Sequence, residues 1–568
     1  MQRLALSRWL PFLAWPRPTA ELLRGEFWAG MTVGLMLVPQ GVAYAHLAGM
    51  PLVTGIYASL IPALVAVLWA SSTRLGVGPT ALTSLLIGAS LMGLAEPGSA
   101  QWVQLAVWMA LLSGLLQLSL GVMRFGWLLN LVTSPVLGSF TQAAALLILA
   151  SQLPALLGLR TTWHALVADP SLQHFDLRAM AFGLVSLALL MLGRRWRPSF
   201  PTAMVVIALA ALASWGVAFA DAGGAVVGHV PAGLPSLYLP GWLSWDEFGA
   251  LALPVLVVTL VSFLETASSA KVEHTRGGTR WNENQDLIAH GMAKMSSGLC
   301  GSFATSASFS RSAINLYAGA QSGWATLFSL VLVLATLLWL TPALYHVPQA
   351  VLAAVVVTAV TSLINPLGML RLWPISRVET VIGLTTFVLT LISAPRLYWG
   401  VLAGLVMNLS HFLYQRLHPR IIEVGLHPDG SLRDRHLWQL PPLAPGVLAL
   451  RMDAELDFAS AAALERRVAD ELAARPELRE LCLFALPINR IDVTGVEAFM
   501  RLRALVHGLG GMLHVAGLKL PVQRTLDRAE VLKEGSDLHV YRTDGEAIAA
   551  LARRSAGPQP ATTAGATR

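Results

Sequence analysis

The stretch that organises this chain is Ser306-Ala307-Ser308-Phe309-Ser310-Arg311. It introduces an apolar segment, 311–320, that is too short to cross a membrane alone, because a helical span needs about 20 residues. Ser308 or Ser310 is a natural N-cap, so we predict a half-helix with Arg311 in its first turn. An arginine inside a membrane is costly, so we interpret Arg311 as functional. The alternative is that it snorkels or forms a structural pair.

The composition around this stretch is that of a membrane protein. The 568 residues are 55% hydrophobic and 12% charged, with a mean hydropathy of +0.61, whereas a soluble domain has about 25% charged residues. Between Phe27 and Leu159 the only Asp, Glu, Lys or Arg residues are Arg74, Glu96 and Arg124. We predict an α-helical multi-pass protein with about fourteen spans. The basic loops place its N-terminus and its soluble tail in the cytoplasm, with the spans in the cell (inner) membrane.

Several classes of protein are excluded or disfavoured by the same counts. Two cysteines, Cys300 and Cys482, cannot build a disulfide framework or a cysteine metal site. The net charge of +7 lies largely in short loops beside spans, so it indicates membrane topology and no nucleic-acid partner. No nucleophile–base pair or metal cluster is visible, so we expect neither an enzyme nor a cofactor.

A second half-helix is predicted in the first half of the chain. Gly76-Val77-Gly78-Pro79 precedes Thr80 and an apolar segment. The segment 38–45 can also be laid against 263–270, which indicates a weak internal repeat. About seven spans per half makes the halves inverted, and paired broken helices in inverted repeats mark a midplane substrate site in transporters. Two facing helix N-termini would bind an anion.

Glu265 is the candidate for coupling. It lies inside an apolar run, with Ser262 and Ser269 on the same helical face. Arg311 and two helix half-charges roughly neutralise a divalent anion, and an ionised Glu265 would oppose that anion. Protonation of Glu265 when the anion binds removes the conflict, which is proton–anion symport. The alternative is a structural Glu265–Arg311 pair between the two repeats.

Two further residues of the first span complete the candidate site. Gln40 and Tyr44 lie one helical turn apart, so Gln40 can donate to an anion and Tyr44 can line the pocket. They could instead be polar residues that pack the helices, and Thr80 could be no more than an N-cap.

The tail after residue 418 has a different pattern. Strands at 447–452, 481–486 and 512–516 alternate with helices at 461–473 and 496–509, which predicts a small α/β domain. Asp492-Val493-Thr494-Gly495 opens the second helix. Thr494 and Glu497 fit a capping box, and phosphorylation of Thr494, or docking of a nucleotide or a partner protein there, is the alternative.

In this order, these motifs resemble those of the sulfate permease (SulP) family, also called solute carrier family 26. The resemblance covers about residues 20–550 and includes 38–45, 76–79, 265–271, 284–289 and 308–315. The tail is similar to the STAS domain of that family, with Asp492 and Thr494 at its Asp-x-Ser/Thr-Gly position. The resulting domain prediction is a segment 1–24, a transporter domain 25–418, a linker 419–444, a STAS domain 445–553 and a disordered tail 554–568.

The resemblance implies a seven-plus-seven inverted repeat with core and gate domains, an elevator-type movement and a homodimer. It places the anion near Gln40, Tyr44, Thr80, Ser308, Phe309, Ser310 and Arg311. Proton-coupled members carry a glutamate at the position of Glu265, whereas sodium-coupled members carry an aspartate there and a threonine at the position of Ser269. At Ser306-Ala307-Ser308 the residues differ from the Val-Thr-Gly-Ser sequence that is frequent in the family.

The function expected from the sequence is sulfate:proton symport. Bicarbonate or a dicarboxylate such as fumarate is an alternative substrate, because Phe309 and Tyr44 could define a larger pocket. An alternative from a different functional class is a passive anion channel or a sensor. In either case the STAS domain would be its regulatory module, and it could bind a cytosolic partner.

Overall fold

The structure is a computed structural model that describes residues 10–159, 175–196 and 201–555. The described residues form two compact units, which divide between Asn408 and Leu409. Residues 1–9 of the predicted N-terminal segment and 556–568 of the predicted disordered tail lie outside the described residues.

The first unit is helical. Its helices are α1 (Ala20–Leu47), α2 (Leu52–Trp69), α3 (Ala81–Leu91), α4 (Ala100–Val122), α5 (Ser134–Leu156), α6 (Leu177–Trp196), α7 (Thr202–Gly216), α8 (Trp245–Gly277), α9 (Glu283–Leu299), α10 (Phe309–Tyr317), α11 (Trp324–Ala335), α12 (Gln349–Val360), α13 (Pro366–Leu370), α14 (Arg377–Ile392) and α15 (Tyr398–Leu417), which continues into the second unit. Two short strands, β1 (Gly76–Gly78) and β2 (Ser306–Ser308), precede α3 and α10.

The count of about fourteen spans stays a prediction, and α13 is a short helix of five residues. Six helical segments within the described residues are long and apolar enough to cross a membrane. The two predicted half-helices are confirmed: α3 has 11 residues and α10 has 9, and each follows a strand. Their extended lead-in segments form because Gly76, Gly78 and the serines before α10 are poor helix formers.

The helices pack as two bundles. One contains α1–α4 and α8–α11, and the other contains α5–α7, α12 and α14. The first bundle brings α3 and α10 together with α1 and α8. It therefore carries all the membrane residues that the sequence analysis assigned to a site.

Glycines set the closest helix contacts of the first bundle. A Cβ on Gly55 of α2 would lie 1.9 Å from the carbonyl oxygen of Gly41 in α1. Such small residues let two helix backbones approach closely where little hydrophobic driving force separates protein from lipid. The close contact between α1 and α2 at Gly41 and Gly55 therefore lies next to Gln40 on α1.

The second unit is a six-stranded sheet with helices. Its strands are β3 (Ile421–Leu426), β4 (Leu432–Asp434), β5 (Val447–Met452), β6 (Glu480–Phe484), β7 (Leu513–Ala516) and β8 (Leu538–Tyr541), in the order β4-β3-β5-β6-β7-β8. Strands β5 to β8 are parallel. The helices are α16 (Ala461–Ala474), α17 (Val493–Gly508), α18 (Leu520–Arg528) and α19 (Asp544–Ser555).

Two local predictions for this unit differ from the structure. The predicted linker 419–444 contains β3 and β4, which pair antiparallel with the sheet. The capping box is wrong, because Asp492 is the N-cap of α17 and accepts a hydrogen bond from the Gly495 N–H at 2.8 Å. Thr494 is the second residue of the helix, two positions after the N-cap, so it cannot cap the helix.

Candidate functional site

The two half-helices begin at the two ends of one short ribbon in the first bundle. Strands β1 and β2 pair antiparallel, with Gly76 opposite Ser308 and Gly78 opposite Ser306. The pairing places the N-terminus of α3 and that of α10 beside the same two-stranded ribbon. Strand β2 is fixed to α8 by Ser306, whose hydroxyl donates to the carbonyl of Ser262 at 3.1 Å.

Arg311 lies in the first turn of α10 and is buried, with 1% of its surface exposed. Its Nη1 donates to Oε1 of Gln40 at 3.2 Å and its Nη2 to the carbonyl of Gly76 at 3.4 Å. Its Nε is buried without a hydrogen-bond partner. A buried guanidinium with an unused N–H is a donor set held ready for an acceptor.

The serines around Arg311 hold the helix start in place. Ser308 is the N-cap, and its hydroxyl accepts from the Arg311 N–H at 3.5 Å. Ser312 ties the two lead-in strands together, because its hydroxyl donates to the Ser308 carbonyl at 2.7 Å and accepts from the Gly76 N–H at 3.0 Å. Phe309 and Ser310 are exposed in the first turn, and Ser310 Oγ lies 3.2 Å from Ser308 Oγ.

Thr80 connects the start of α3 with the predicted coupling residue. It is the N-cap of α3 and accepts from the Thr83 N–H at 3.4 Å, while its hydroxyl reaches Oε2 of Glu265 at 3.1 Å. Thr80 is thus the N-cap that the sequence indicated, and it is also a contact of Glu265, while its role in anion binding stays a prediction. Within the described part of the chain, no Glu265–Arg311 ion pair shorter than 4 Å is present.

Of the remaining predicted residues, Gln40 and Tyr44 lie near Arg311, whereas Ser269 bonds within its own helix. Gln40 and Tyr44 on α1 are both buried, and Tyr44 lies within electrostatic reach of Arg311 and Glu265. Ser269 is buried on α8, but its hydroxyl donates to the Glu265 backbone carbonyl at 3.0 Å. It therefore satisfies its own helix and does not reach the carboxylate of Glu265.

Asp492 and Thr494 belong to the second unit and have a different setting. The Asp492 carboxylate caps α17 and also accepts from the Phe458 N–H at 3.0 Å. The side chain thereby joins the start of α17 to the loop before α16. Both hydrogen bonds stabilise the second unit.

Sequence reasoning missed a buried lysine near this site. Lys294 of α9 has no exposed surface, and its Nζ donates to Oε1 of Gln117 at 2.6 Å and to the Ser262 hydroxyl. The signal was present in the sequence as a lysine inside a predicted span, 285–303. Such residues are functional candidates by default.

The arrangement is suited to binding an anion and moving a proton. Two helix N-termini and a guanidinium converge at the ribbon, which favours negative charge there. A carboxyl group stands next to the α3 N-terminus and is held by a hydroxyl donor. Among the described residues, no group of three or more His, Cys, Asp or Glu side chains could hold a metal ion.

Family profiles match both units. The profile described as the sulfate permease family matches residues 23–386, and the profile of the STAS domain matches residues 442–547. A probable sulfate transporter of Mycobacterium tuberculosis is 30% identical, over 94% of this chain and 96% of its own. A sodium-independent sulfate anion transporter of Bos taurus is 28% identical, over 93% of this chain and 89% of its own.

Solved structures show the same fold. The murine solute carrier 26 family member A9 anion transporter, in its inward-facing state, has a TM-score of 0.86 at 20% identity, over 97% of this chain and 95% of that one. The transmembrane domain of the cyanobacterial bicarbonate transporter BicA has a TM-score of 0.58 at 19% identity, over 69% of this chain and 98% of that one. The predicted fold class, a helical membrane protein with a STAS domain, is therefore confirmed.

Proposed function

Because this chain belongs to the sulfate permease family, whose members are membrane transporters of anions and not enzymes, we propose that it is a secondary active sulfate:proton symporter. The observation that carries the proposal is Arg311. It is fully buried at the junction of two helix starts, and its Nε has no partner. A tetrahedral dianion placed at that junction would accept from Nε and from the backbone N–H groups of α3 and α10.

Charge balance supports coupling to protons. Arg311 and the two half-charges of α3 and α10 add up to about two positive charges, which match a divalent anion. An ionised Glu265 beside Thr80 would repel that anion at close range. A protonated Glu265 removes the repulsion, so the anion and the proton are expected to bind together and to leave together.

The movement that we propose is of the elevator type. The residues that bind the anion and the proton all lie in the bundle of α1–α4 and α8–α11, so this bundle can carry them as one body past the bundle of α5–α7, α12 and α14. We propose a homodimer in the cell (inner) membrane, with the N-terminus and the STAS domain in the cytoplasm. Asp492 and Thr494 are proposed as the region of the STAS domain where a regulatory partner or a modification would act.

The decisive experiment is uptake of radiolabelled sulfate by proteoliposomes that contain the full chain. An inward proton gradient should drive accumulation with or without sodium, and Arg311→Ala should abolish it. Arg311→Lys keeps the charge but loses the planar fork of donors, so uptake should remain strongly reduced. Unlabelled bicarbonate and fumarate serve as competitors. If either is carried while sulfate is not, the substrate assignment is wrong and the alternative anion replaces it.

Glu265→Gln separates a symporter from a passive channel. The amide keeps the hydrogen bond with Thr80 but cannot release a proton. Uphill sulfate uptake should therefore stop, while exchange of sulfate at equal concentrations continues. Unchanged conductive flux in this variant, with no uphill transport in the wild type, would favour the channel.

A further inference from the structure

The buried lysine of α9 has a setting that the anion site does not explain. Lys294 Nζ is held by two neutral groups, Gln117 of α4 and Ser262 of α8. In the described residues no carboxylate lies within 4 Å of Nζ. A buried ammonium without a close counter-ion is costly, so the neutral amine is the favoured resting form of Lys294, and its two N–H groups suffice for both hydrogen bonds.

The helix interface around Lys294 is packed closely enough to exclude bulk water. A Cβ on Gly114 of α4 would lie 2.8 Å from the Gly291 carbonyl oxygen of α9, and a Cβ on Gly298 would lie 2.8 Å from Leu111. Nζ of Lys294 therefore contacts protein groups and has no exposed surface. Glu265 lies on α8 one helical turn from Ser262, whose hydroxyl accepts from Nζ of Lys294.

Lys294 is the inner end of a line of ionisable side chains. Asp286, His290 and Lys294 follow one another at intervals of four residues on α9, so they share one face of the helix, with Cβ atoms about 5–6 Å apart. All three are buried, with 0%, 2% and 0% of their surfaces exposed. The Nε2 of His290 has no hydrogen-bond partner. The two charges that act on the ring are Asp286 and Lys294.

The outer end of the line reaches partly exposed groups. The Asp286 carboxylate accepts from the Ser72 hydroxyl at 2.5 Å, and Ser72 Oγ lies 3.1 Å from Nε2 of His274, which is partly exposed. The Arg74–Glu273 ion pair, at 3.1 Å, flanks the same end. The charged or titratable groups that face the line from α8 and from the chain after α2 are thus Glu265, Glu273, His274 and Arg74.

Resting on the proposed symport, we infer that His290 and Lys294 carry the coupling proton between Glu265 and the end of α9 at Asp286, by a route separate from the anion path. When the anion leaves, the Glu265 carboxyl gives its proton to the neutral amine of Lys294, which becomes an ammonium. The ammonium passes a proton to the imidazole of His290, and the imidazolium releases one toward the polar groups at Asp286. Each carrier returns to its starting form, and Asp286 serves as a fixed negative charge opposite the imidazolium.

His290→Gln tests the route in full-length protein in proteoliposomes. The amide keeps polarity and approximate size but cannot carry a proton. Proton-driven net sulfate uptake should fall by at least about tenfold, in line with the loss of a proton-transfer group. Exchange of sulfate at equal concentrations and equal pH should stay near the wild-type rate, because it does not require the proton to leave Glu265. Lys294→Met should likewise lose net uptake and keep exchange. His346→Gln, at another histidine of the first unit, is the control and should keep both.

The outcomes separate this inference from the function on which it rests. If the wild type shows no proton-driven uptake, the proposed function fails. If the wild type shows it and His290→Gln retains it with the same pH dependence, the route is overturned. Equal loss of exchange and net uptake in both variants would also overturn the route, because it would identify a structural role. Restoration of net uptake in His290→Gly by added imidazole would support it directly.

Discussion

Nη1 of Arg311 donates to Oε1 of Gln40 at 3.2 Å and so joins α10 to α1, although the two residues are 271 positions apart in the chain. The two Nη contacts, with Gln40 and with the carbonyl of Gly76, fix the guanidinium, while Nε is buried without a hydrogen-bond partner. Gln40 is therefore a positioning residue for the cation as well as a candidate lining residue.

Gln40→Met should weaken sulfate binding without a loss of expression. The thioether has nearly the same length as the amide but accepts hydrogen bonds poorly, so the guanidinium loses one of its two acceptors. A hydrogen bond to a charged group contributes about 1.5–3 kcal/mol, and we expect KM for sulfate to rise by at least about tenfold. Gln152→Met, at another buried glutamine, is the control. An unchanged KM in Gln40→Met would mean that Gln40 does not orient Arg311.

Gly55→Ala should destabilise the first bundle. The added Cβ would lie 1.9 Å from the Gly41 carbonyl oxygen, which belongs to the backbone and cannot rotate away. Overpacking of this kind costs about 1–3 kcal/mol, so the thermal unfolding midpoint in detergent should fall. Gly138→Ala, where no atom lies within 4 Å of the new Cβ, should leave it unchanged. Equal midpoints for the two variants would show that α1 and α2 separate easily at this point.

The sequence predicted the half-helices because their signals are local. Thr80 and Ser308 each stand before a short apolar segment and after residues that disfavour helix, and the structure confirms both as N-caps. Strand β4 was missed together with β3, because β4 pairs with β3 and β3 in turn pairs with β5, which follows in the chain. No periodicity within 419–444 reveals that partner.

Two other differences have local physical reasons. Thr494 and Glu497 have the spacing of a capping box, but Asp492 stands two residues earlier and accepts from both Gly495 and Phe458. Two hydrogen bonds to one carboxylate outweigh a single hydroxyl cap. Lys294 was overlooked because its partners, Gln117 and Ser262, come from two other helices, and the spacing of residues on α9 does not show them.

The capping arrangement can be tested in the whole protein through Cys482. This thiol lies buried in β6, and burial raises its pKa, so it reacts only when the second unit unfolds. In a Cys300→Ser background, Asp492→Ala should lower the free energy of unfolding by about 1–3 kcal/mol, measured as thiol labelling against urea. Thr494→Ala should change it by no more than about 0.5 kcal/mol. If Thr494→Ala lowered the free energy of unfolding more than Asp492→Ala did, Thr494 would be the cap and the predicted capping box would be correct.

The Arg503–Asp537 pair should make the second unit less stable in acid. Arg503 donates to both carboxylate oxygens of Asp537, at 2.6 and 2.8 Å, and these hydrogen bonds lower the pKa of Asp537. A carboxyl whose pKa is lower in the folded state contributes stability above its unfolded pKa, about 3.9 for aspartate. That contribution is lost as the pH falls through the folded value.

Asp537→Asn should therefore cost stability at pH 7 and little once the wild-type carboxyl is also protonated. We expect a difference of about 1 kcal/mol at neutral pH, because the pair is partly exposed, and a difference that shrinks toward zero as the pH falls through the lowered pKa of the folded Asp537 carboxyl. Urea unfolding in the Cys300→Ser background, followed by labelling of Cys482 with dithiodipyridine, measures it across this range. Asp527→Asn on the exposed face of α18 is the control. A difference that stays constant with pH would mean that the carboxylate charge contributes nothing and that the loss comes from packing alone.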